Sequence, residues 1–588
     1  MKSPIKAICG ALSIMLVIFG FSNCPTDEPP PETTETEKTT ILDEKEFLLE
    51  DQPPAQELQA LFDTLPANLS NSWKIWGHKN PLWTGNFGAD PNVLIYNDRL
   101  YVYASNDTLE YLNGDINPNS SYGAGIQGIR IASSADLANW TDHGAVNIVG
   151  PANTNPLIEN WTPVAEIESA TASWAPTAAW KMINGKPKFF LYFANSGNGI
   201  GVVTSSSPTG PWTSPLNKLL IDRDTPTCDT VEYLFDPSVF IDDDGQGYLY
   251  CGGGPPNIRD NGNARRVKLG ADMISLAANP VQWQVPFLFE ASDIKKINGV
   301  YYFSYSANTG YTGGGSIVYV RLVGPMDGFG ASPATYNPPT VLTTAATQLG
   351  SNDTNTHHAM FEFKGDTYMI YHTQKAGEAM GVRRMRTPSI DLMPINANGT
   401  IDPVVMTRKG VDQVGNFNPY IPNEAETIGI QGGIYTRPAQ GASNGTVVTS
   451  IDTGDWVAVY GVDFGSEGAT KFAVRVRMPD TPADYVGAIE LRLDPTGAGI
   501  TGDTGNLTPD NTARITGGTV IGRVQVKAKP GEEGKYAVTT IDFDAPVTGV
   551  HDLVFVFYSS LGVHPETIVP DSRHKNGFEF DEWQFYKE

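Results

Sequence analysis

The chain has 588 residues and a formal net charge of −25 at pH 7, with 65 acidic side chains against 40 basic ones. Its length predicts at least two hydrophobic cores, and its 60 glycines and 43 prolines favour a turn-rich β protein over a helical bundle or a coiled coil. The negative charge excludes nucleic acid as a partner, because a polyanion would be repelled and the sequence contains no basic patch.

The first predicted element is an export signal. Lys2 and Lys6 precede an apolar stretch over residues 7–21, which is too short to span a membrane as a stable helix. The stretch ends in Phe-Ser-Asn-Cys, which resembles the site at which bacterial lipoproteins are cleaved and acylated. We therefore expect residues 1–24 to be a lipoprotein-type signal peptide, with ordinary secretion as the alternative. Acylated Cys24 would anchor the protein at the cell surface or outer membrane, and this lipid would be its only contact with the membrane.

The second predicted element is an acidic tether over residues 25–70, rich in Pro and Thr. Residues 25–57 hold eleven acidic side chains and two lysines, a composition typical of a solvated, extended chain. An amphipathic patch over residues 43–62 is interpreted as a short packing helix. Downstream, Cys228 and Cys251 are the remaining cysteines. Export permits a disulfide between them, and the sequence leaves open whether it forms.

Between residues 71 and 415 one hairpin design recurs. Each copy has an apolar strand, a turn such as Asn-Gly, and an aromatic-rich strand. The copies begin with DPNVLIY at 90, APTAAW at 175, DPSVFI at 236, EASDIKKI at 290 and HAMFEF at 358. The spacing leaves room for two further strands in each copy, so the sequence predicts a five-bladed β-propeller.

The repeat also predicts where the chemistry lies. The first strand of every propeller blade lines the central channel, so the residues that head the copies converge on one axis. These residues include Asp90, Asp236 and Glu290, together with the His357–His358 pair. When carboxylates lie close together, their mutual repulsion raises the pKa of at least one of the group. Hydrolysis of a glycosidic bond needs such a set, with one protonated and one ionised carboxyl. A single Asp-Pro pair, by contrast, is an ordinary strand-entry turn.

At these residues the chain resembles glycoside hydrolase family 43. The matching motifs are ADPNV at 89–93, SWAPTAAW at 173–180, FDPSVFIDDDG at 235–245, EASDIKKINGVYY at 290–302 and NTHHAMFEFKG at 355–365. The resemblance implies an inverting hydrolase that acts on hemicellulose. It makes Asp90 the general base, Glu290 the general acid, and Asp236 the carboxylate that raises the pKa of that acid.

The same resemblance implies further site residues. Trp174 would form an apolar wall beside the sugar ring, and Arg384 would reach the sugar hydroxyls. His357 matches the family's axial histidine, which faces a bound calcium ion through water. The alternatives are that His357 is a satisfied core histidine or that His358 takes its place.

Residues 418–588 form a second β domain. Alternating strands at sandwich-like spacing predict a β-sandwich. NEAE at 423–426, IDTGDW at 451–456 and FEFDEWQF at 578–585 resemble a family 6 carbohydrate-binding module. That resemblance implies a structural calcium ion held by Glu424, Glu426 and Asp581, although ordinary surface acids are the alternative.

The aromatic pair that holds a sugar in such modules is incomplete in this sequence. Ser450 stands at one of the two positions, and Tyr536 is the only candidate at the other. Trp456 and Trp583 lie in framework motifs and are interpreted as core residues. We therefore expect residues 418–588 in isolation to fold but to bind xylan weakly or not at all.

Together these features predict an all-β protein, a five-bladed β-propeller followed by a β-sandwich. The predicted function is removal of arabinofuranosyl or xylosyl units from arabinoxylan or a related plant cell-wall polysaccharide, without an organic cofactor. One alternative is a non-catalytic surface lipoprotein that binds glycan. The other is a structural envelope protein whose axial acids have no catalytic role.

Overall fold

The computed structural model describes residues 40–42, 48–108, 111–112, 115–116, 126–149, 167, 170–255, 262–307, 315–327, 340–344, 355–379, 382, 384–478, 482–498, 514–562 and 577–587. The predicted signal peptide with Cys24 and the first part of the predicted tether lie outside these residues. Strands dominate the described part, whose helices are α1 (Ala55–Phe62) and α2 (Lys375–Ala379). Neither helix is long and apolar enough to cross a membrane.

Five antiparallel sheets follow one another along the chain. The first sheet contains β1 (Ala89–Tyr96) and β2 (Arg99–Ser105), then, after a separate hairpin of β3 (Tyr111–Leu112) and β4 (Asp115–Ile116), β5 (Gly128–Ser134) and β6 (Trp140–Asn147). The second and third contain β7 (Trp174–Ile183), β8 (Lys186–Ala194) and β9 (Ile200–Ser205), and β10 (Ser238–Ile241), β11 (Gly247–Cys251), β12 (Ala264–Lys268) and β13 (Val281–Trp283). The fourth and fifth contain β14 (Leu288–Ile297), β15 (Val300–Ala307), β16 (Ser316–Leu322) and β17 (Thr340–Thr344), and β18 (His358–Phe363), β19 (Asp366–Thr373) and β20 (Thr387–Leu392).

These sheets close into a ring. Strand β1 contacts β7, β7 contacts β10, β10 contacts β14, β14 contacts β18, and β18 returns to β1. An apolar cluster lies between each pair of neighbouring sheets, and the cluster that closes the ring joins Val93 and Leu100 to Phe361 and Ile370. Each sheet is therefore one blade whose first strand lines the axis, and the predicted five-bladed propeller is confirmed.

The hairpin turns have the backbone that the sequence predicted. Both central residues of a type I′ turn need a positive φ, which Asn and Gly adopt readily. Between β7 and β8, φ is 53° at Asn184 and 76° at Gly185. Between β14 and β15, φ is 51° at Asn298 and 76° at Gly299. These short signals are therefore sufficient to locate the hairpins.

The C-terminal domain is a sandwich of two packed sheets. Its strands are β21 (Asn423–Glu424), β22 (Thr427–Ile428), β23 (Ile430–Gly432), β24 (Tyr435–Pro438), β25 (Thr446–Thr449), β26 (Trp456–Asp463), β27 (Ala469–Arg477), β28 (Gly487–Leu493), β29 (Thr496–Ala498), β30 (Arg514–Thr516), β31 (Thr519–Val526), β32 (Ala537–Val547), β33 (Val550–Ser559) and β34 (Glu579–Tyr586). One sheet has the order β24-β25-β34-β27-β32, with β21 beside β34, and the other has the order β23-β26-β33-β28-β31. Large apolar side chains from both sheets fill the space between them.

A strand pairing and a common apolar cluster join the sandwich to the first blade. Strand β22 pairs with β6, so that Thr427 lies opposite Thr141 and extends the blade by one strand. A common apolar cluster joins Ala138 of the propeller to Trp456 and Tyr460 of the sandwich. The two domains are therefore held together by main-chain pairing as well as by apolar packing.

The predicted tether differs from the structure over residues 48–70, which pack on the sandwich. The Glu50 N–H donates a 2.9 Å hydrogen bond to the Lys527 carbonyl, and the apolar face of α1 places Leu58 and Phe62 against Ala488. Burial of these apolar side chains outweighs the acidic composition. The short packing helix predicted within residues 43–62 is therefore present as α1, whereas a solvated, extended tether is wrong for residues 48–70.

Candidate active site

Four inner strands begin near a residue with left-handed backbone. These residues are Asp90 (φ 51°), Ala175 (43°), Asp236 (48°) and Ala291 (60°). A non-glycine residue in this region costs about 1–3 kcal/mol, and such strain gathers at functional sites. Asp90 and Asp236 thus occupy equivalent positions, whereas Glu290 stands one residue before its equivalent, Ala291. The prediction that the three acids share one repeat position is wrong for Glu290.

Polar groups two residues after these positions link neighbouring blades. The Thr177 hydroxyl donates to Asn92 Oδ1 at 3.2 Å and accepts a 3.3 Å hydrogen bond from the Val239 N–H. On the far side of the ring, the Met360 N–H donates to Asp293 Oδ2 at 2.8 Å. The axis is therefore cross-linked directly beside the acids, which fixes their backbone.

Asp90 is a buried carboxylate with a donor on each oxygen. Its Oδ1 accepts a 2.9 Å hydrogen bond from Arg386 Nη1, and its Oδ2 accepts a 2.8 Å bond from Ser105 Oγ. Burial by itself raises the pKa of Asp90, but the Arg386 charge, the neighbouring histidines and the Ser105 hydrogen bond together lower it to about 2. Asp90 is therefore ionised at neutral pH.

Arg386 is buried and is the principal cation of the site. Its Nε and Nη2 each donate a 2.9 Å hydrogen bond to Asp107, and its Nη1 donates to Asp90 and to Asn355 Oδ1, also at 2.9 Å. Burial raises the pKa of Asp107 to about 6, although Arg386 opposes the rise. The Gly88 N–H donates to the Arg386 carbonyl at 2.9 Å, so the chain entering β1 runs beside the chain entering β20.

Asp236 and Asp90 flank one histidine. His357 Nδ1 lies 3.5 Å from Asp90 Oδ1 and 3.8 Å from Asp236 Oδ2. Burial raises the pKa of Asp236 to about 6; the Asp90 charge adds to the rise and His357 opposes it. Asp236 Oδ2 also accepts a 2.9 Å hydrogen bond from the N–H of Ala291, the residue that follows Glu290. The structure thus ties Asp236 to the backbone beside Glu290.

Glu290 belongs to the same network through an amide. Asn355 Nδ2 donates a 3.2 Å hydrogen bond to Glu290 Oε1, and Arg386 Nη1 donates to the oxygen of the same amide. An unbroken path of hydrogen bonds therefore runs from Asp90 through Arg386 and Asn355 to Glu290. The sequence did not single out Asn355, although it lies in the NTHHAMFEFKG motif.

Two further histidines lie nearby. His358 turns to Ser304, with its Nε2 2.7 Å from the hydroxyl oxygen, so His357 is the histidine at the acids. His372 Nδ1 accepts a 2.9 Å hydrogen bond from the Asp90 N–H, and its Nε2 lies 3.1 Å from the Asn355 carbonyl. This pairing puts the ring proton on Nε2. Burial also lowers the pKa of His372 to about 3, so the ring is neutral at neutral pH.

The two residues predicted to bind substrate have different surroundings. Trp174 is half-buried and packs on the cluster between the second and third blades; its buried indole N–H has no hydrogen-bond partner among the described residues. Arg384 is exposed, with a φ of 70°, and no contact within the described part of the chain joins it to the acids. Arg386 contacts Asp90 instead. Contact between Arg384 and sugar hydroxyls stays a prediction, and Arg386, two residues further along, is the arginine that turns inward.

The predicted calcium ligands of the sandwich lie close to one another. Burial raises the pKa of Glu426 well above its ordinary value, and the charges of Glu424 and Asp581 raise it further. Glu426 Oε2 is buried without a hydrogen-bond partner in the described structure. Asp581 is bonded to Arg475, and the Ser443 hydroxyl donates to Glu424. As they stand, no three His, Cys, Asp or Glu side chains of the described residues are arranged to hold a metal ion.

The aromatic residues that the sequence singled out in the sandwich are buried or covered by other side chains. Trp456 and Trp583 are completely buried, as the sequence predicted. Tyr536 is covered by Arg475, whose guanidinium carbon lies 4.2 Å from the ring centroid, and Ser450 is buried. These four residues therefore do not form an open pair of aromatic faces for a sugar.

Comparison with known proteins extends over both domains. A family model for glycosyl hydrolases family 43 matches residues 78–401, and a model for carbohydrate binding module (family 6) matches residues 424–565. The arabinoxylan arabinofuranohydrolase of Bacillus subtilis (strain 168) is 39% identical over 530 residues, which cover 87% of this chain and 92% of that protein. The arabinoxylan arabinofuranohydrolase of Paenibacillus polymyxa is 40% identical over 507 residues, covering 83% and 73%.

A solved structure has the same two-domain organisation. It is a glycoside hydrolase family 43 arabinoxylan arabinofuranohydrolase from Bacillus subtilis in complex with cellotetraose. The two structures superpose with a TM-score of 0.73 at 38% sequence identity, over 88% of this chain and 99% of that one. The likeness therefore includes the sandwich and its placement on the propeller.

Proposed function

Because this chain belongs to glycoside hydrolase family 43 and carries a C-terminal family 6 carbohydrate-binding module, we propose that it removes arabinofuranosyl side chains from arabinoxylan with inversion at the anomeric carbon. The substrate is suggested by the two arabinoxylan arabinofuranohydrolases to which the chain is similar. The mechanism is supported above all by one observation: Asp90 is kept ionised by Arg386, and the same arginine is linked through Asn355 to Glu290.

Asp90 is the general base of this mechanism. With its pKa lowered to about 2, it is ionised throughout the pH range in which glycosidases operate. Arg386 donates a hydrogen bond to one oxygen of Asp90 and Ser105 donates to the other. Each carboxylate oxygen has a second lone pair that can accept a hydrogen bond from water. Asp90 takes a proton from water while the water oxygen bonds to the anomeric carbon.

Glu290 is the general acid, and Asp236 supports it. Asp236 is bonded to the N–H of Ala291 and carries its negative charge above about pH 6. That charge favours the protonated form of a neighbouring carboxyl. Glu290 gives its proton to the glycosidic oxygen as the bond to the sugar breaks, and the bonding electron pair stays with that oxygen. Trp174 is retained as the proposed wall beside the sugar, and Arg384 as the proposed contact to the sugar hydroxyls. Arg386 is the arginine at the base.

The test is product analysis on arabinoxylan. We expect free arabinose as the main released sugar, and proton NMR of the first-formed product should show the anomer inverted relative to the substrate. Asp90→Asn and Glu290→Gln should reduce turnover far more than substrate binding. Release of xylose without arabinose would contradict the substrate. Retention would contradict Asp90 as a base, because inversion requires the two carboxyls to stand about 6.5–9.5 Å apart with water between them.

We also propose that the sandwich holds a structural calcium ion through Glu424, Glu426 and Asp581. The support is the buried Oε2 of Glu426 without a hydrogen-bond partner in the described structure, beside two more carboxylates whose hard oxygen atoms suit calcium. A chelator should lower the thermal unfolding midpoint, calcium should restore it, and Glu426→Gln should remove the response. A midpoint unaffected by the chelator would refute the site.

A second calcium ion, at the propeller axis, stays a prediction from the resemblance. His357, the histidine that the resemblance places near this ion, lies beside Asp90 and Asp236. No step of the proposed mechanism uses the ion.

The location of the protein is proposed from its N-terminal sequence. Lipid attached to Cys24 would hold the enzyme at the cell surface or outer membrane, close to polymeric substrate. Cells that express the full chain should incorporate labelled palmitate into it, and Cys24→Ser should abolish both the label and the membrane fraction. Equal labelling of both proteins would exclude Cys24 as the acylated residue.

A further inference from the structure

We infer that Asp107 is a positioning residue that aims Arg386 at the catalytic base. The inference rests on the proposed role of Asp90 as general base and deepens it. It traces the geometry of the base to a second carboxyl, which lies outside every motif that carries the family resemblance.

Both carboxyl oxygens of Asp107 accept hydrogen bonds from Arg386. Oδ1 accepts from Nη2 and Oδ2 accepts from Nε, each at 2.9 Å, and Oδ2 also accepts a 3.2 Å bond from the main-chain N–H of Arg386. The Asp107 side chain is 0% exposed and that of Arg386 is 3% exposed, so solvent does not compete for these bonds. Asp107 therefore holds both the side chain and the backbone of Arg386.

The paired bonds fix the direction of the third guanidinium nitrogen. The group is planar and its donors have fixed directions, so a carboxylate that holds Nε and Nη2 fixes the plane as well as the edge. Nη1 lies on the other side of the group, where it donates to Asp90 Oδ1 at 2.9 Å. The direction of this bond to the base is therefore set by Asp107.

The chain segment that carries Asp107 also holds the other oxygen of Asp90. Ser105 donates to Asp90 Oδ2, and the Ser105 hydroxyl oxygen accepts a hydrogen bond from the Ala175 N–H, both at 2.8 Å. The Asp107 N–H donates to the Ser105 carbonyl at 2.9 Å, which keeps the two residues at a fixed spacing. One short turn at the end of β2 thus fixes both oxygens of the base, one directly and one through Arg386.

The direction of the base matters because a general base must face the proton that it removes. A misplacement of about 1 Å can lower the rate by about 10²-fold. The side chain of Asp107 is fully buried, so it acts on the water-activating step rather than on the bound sugar. Its loss should therefore lower kcat and leave KM almost unchanged.

The first variant is Asp107→Asn. Asparagine has nearly the same size, but its amino group only donates, so it can accept a hydrogen bond from one of the two guanidinium nitrogens and not from both. Rates on an aryl arabinofuranoside are measured above the pKa of Asp107, which burial raises to about 6. We expect kcat to fall by about 10- to 100-fold and KM to change by less than about 3-fold. A kcat within about 3-fold of the parent would overturn the inference.

A double variant shows whether Asp107 acts through Arg386. Arg386→Met leaves no guanidinium to aim, so adding Asp107→Asn to it should change kcat by less than about 3-fold. If the losses of the two single variants multiply instead, Asp107 acts independently of Arg386 and the inference is overturned.

Asp391→Asn is the matched control for the loss of a buried carboxyl. Asp391 is also buried, lies on β20 just after Arg386, and accepts hydrogen bonds from Tyr371 and Thr407. Asp391→Asn should lower the melting temperature but keep kcat within about 3-fold of the parent. If it lowers kcat as much as Asp107→Asn does, the loss reports general damage to the last blade and the inference is overturned.

Two more variants separate the possible failures. Asp90→Asn must itself lower kcat strongly; if it does not, the proposed base role fails together with the inference. If Asp90→Asn lowers kcat and Asp107→Asn does not, the inference alone fails. Arg386→Lys keeps the charge but cannot form the paired arrangement, so its kcat should fall by about 10-fold or more even if Asp107→Asn does not fold. An unchanged kcat in Arg386→Lys would overturn the inference.

Discussion

Replacing Arg386 by Met should move the acid limb of the pH profile by several pH units. The third blade supplies an internal reference, because Asp236 occupies the position equivalent to Asp90 and is buried to the same degree, at 6% against 8% exposure. Among the described residues no arginine donates a hydrogen bond to Asp236, and its pKa is about 6, whereas that of Asp90 is about 2. Among the influences that lower the pKa of Asp90, the charge of Arg386 is the largest.

The direction of the change follows from the role of Asp90. A general base works only when it is ionised, so kcat/KM falls as the pH drops below the pKa of the base in the free enzyme. Without Arg386, burial is opposed less strongly, and the pKa of Asp90 rises towards the value of Asp236. The acid limb should therefore move from about pH 2 to about pH 6.

The assay is kcat/KM for an activated aryl arabinofuranoside between roughly pH 3 and pH 9, a range in which Asp90 should give the parent no acid limb and should give Arg386→Met one near pH 6. Removing one partner of a buried ion pair costs about 3–5 kcal/mol of stability, so thermal unfolding is recorded for each variant and rates are measured well below its midpoint. Arg386→Lys keeps the charge without the paired geometry, and its acid limb should stay near that of the parent. If the acid limb of Arg386→Met stays below pH 4, Arg386 does not control the base or Asp90 is not the base.

Three further predictions concern stability. Burial raises the pKa of Asp455 to about 8, so its contribution to stability is complete below about pH 4 and is lost as the pH rises through 8. Asp455→Asn should flatten the pH dependence of the melting temperature, and an unchanged curve would refute the shift. Trp456→Ala should cost about 3–5 kcal/mol in urea unfolding, because the side chain is fully buried; a loss below about 1 kcal/mol would contradict that packing. Isolated residues 418–588 should melt below the full chain, since they lack Leu58 and the strand partner of Thr427; an equal midpoint would make these contacts dispensable.

Local chemistry accounts for the parts of the fold that the sequence predicts well. The Asn184–Gly185 and Asn298–Gly299 turns need positive φ at adjacent positions, and few residue pairs permit it. Once these hairpins are located, their spacing gives the blade count, and the position that lines the axis follows from the fold. Asp90 and Asp236 could thus be placed at the same axis before the structure was available.

The residues that the sequence did not predict are those whose role depends on distant contacts. Arg386 meets Asp90 across 296 residues of sequence, and nothing local distinguishes it from Arg384. The left-handed residue of β14 is Ala291, at the place that Asp90 has in β1, so Glu290 stands one residue before the repeat position. The pairing of Thr427 with Thr141 joins two domains, and neither strand alone predicts a partner.

The placement of the base suggests why ring closure and catalysis are linked. Asp90 belongs to the first blade, but its arginine, its two histidines and the Asn355 amide come from the last blade or the segment leading into it. The chain entering β1 is bonded to β20 and to the residue before it, through Leu82 to Pro388 and through Gly88 to Arg386, each at 2.9 Å. Asp236 and Glu290 lie on blades that do not take part in this closure. The contact that completes the propeller therefore also assembles the ionised base, so loosening it would affect water activation before it affected the acid.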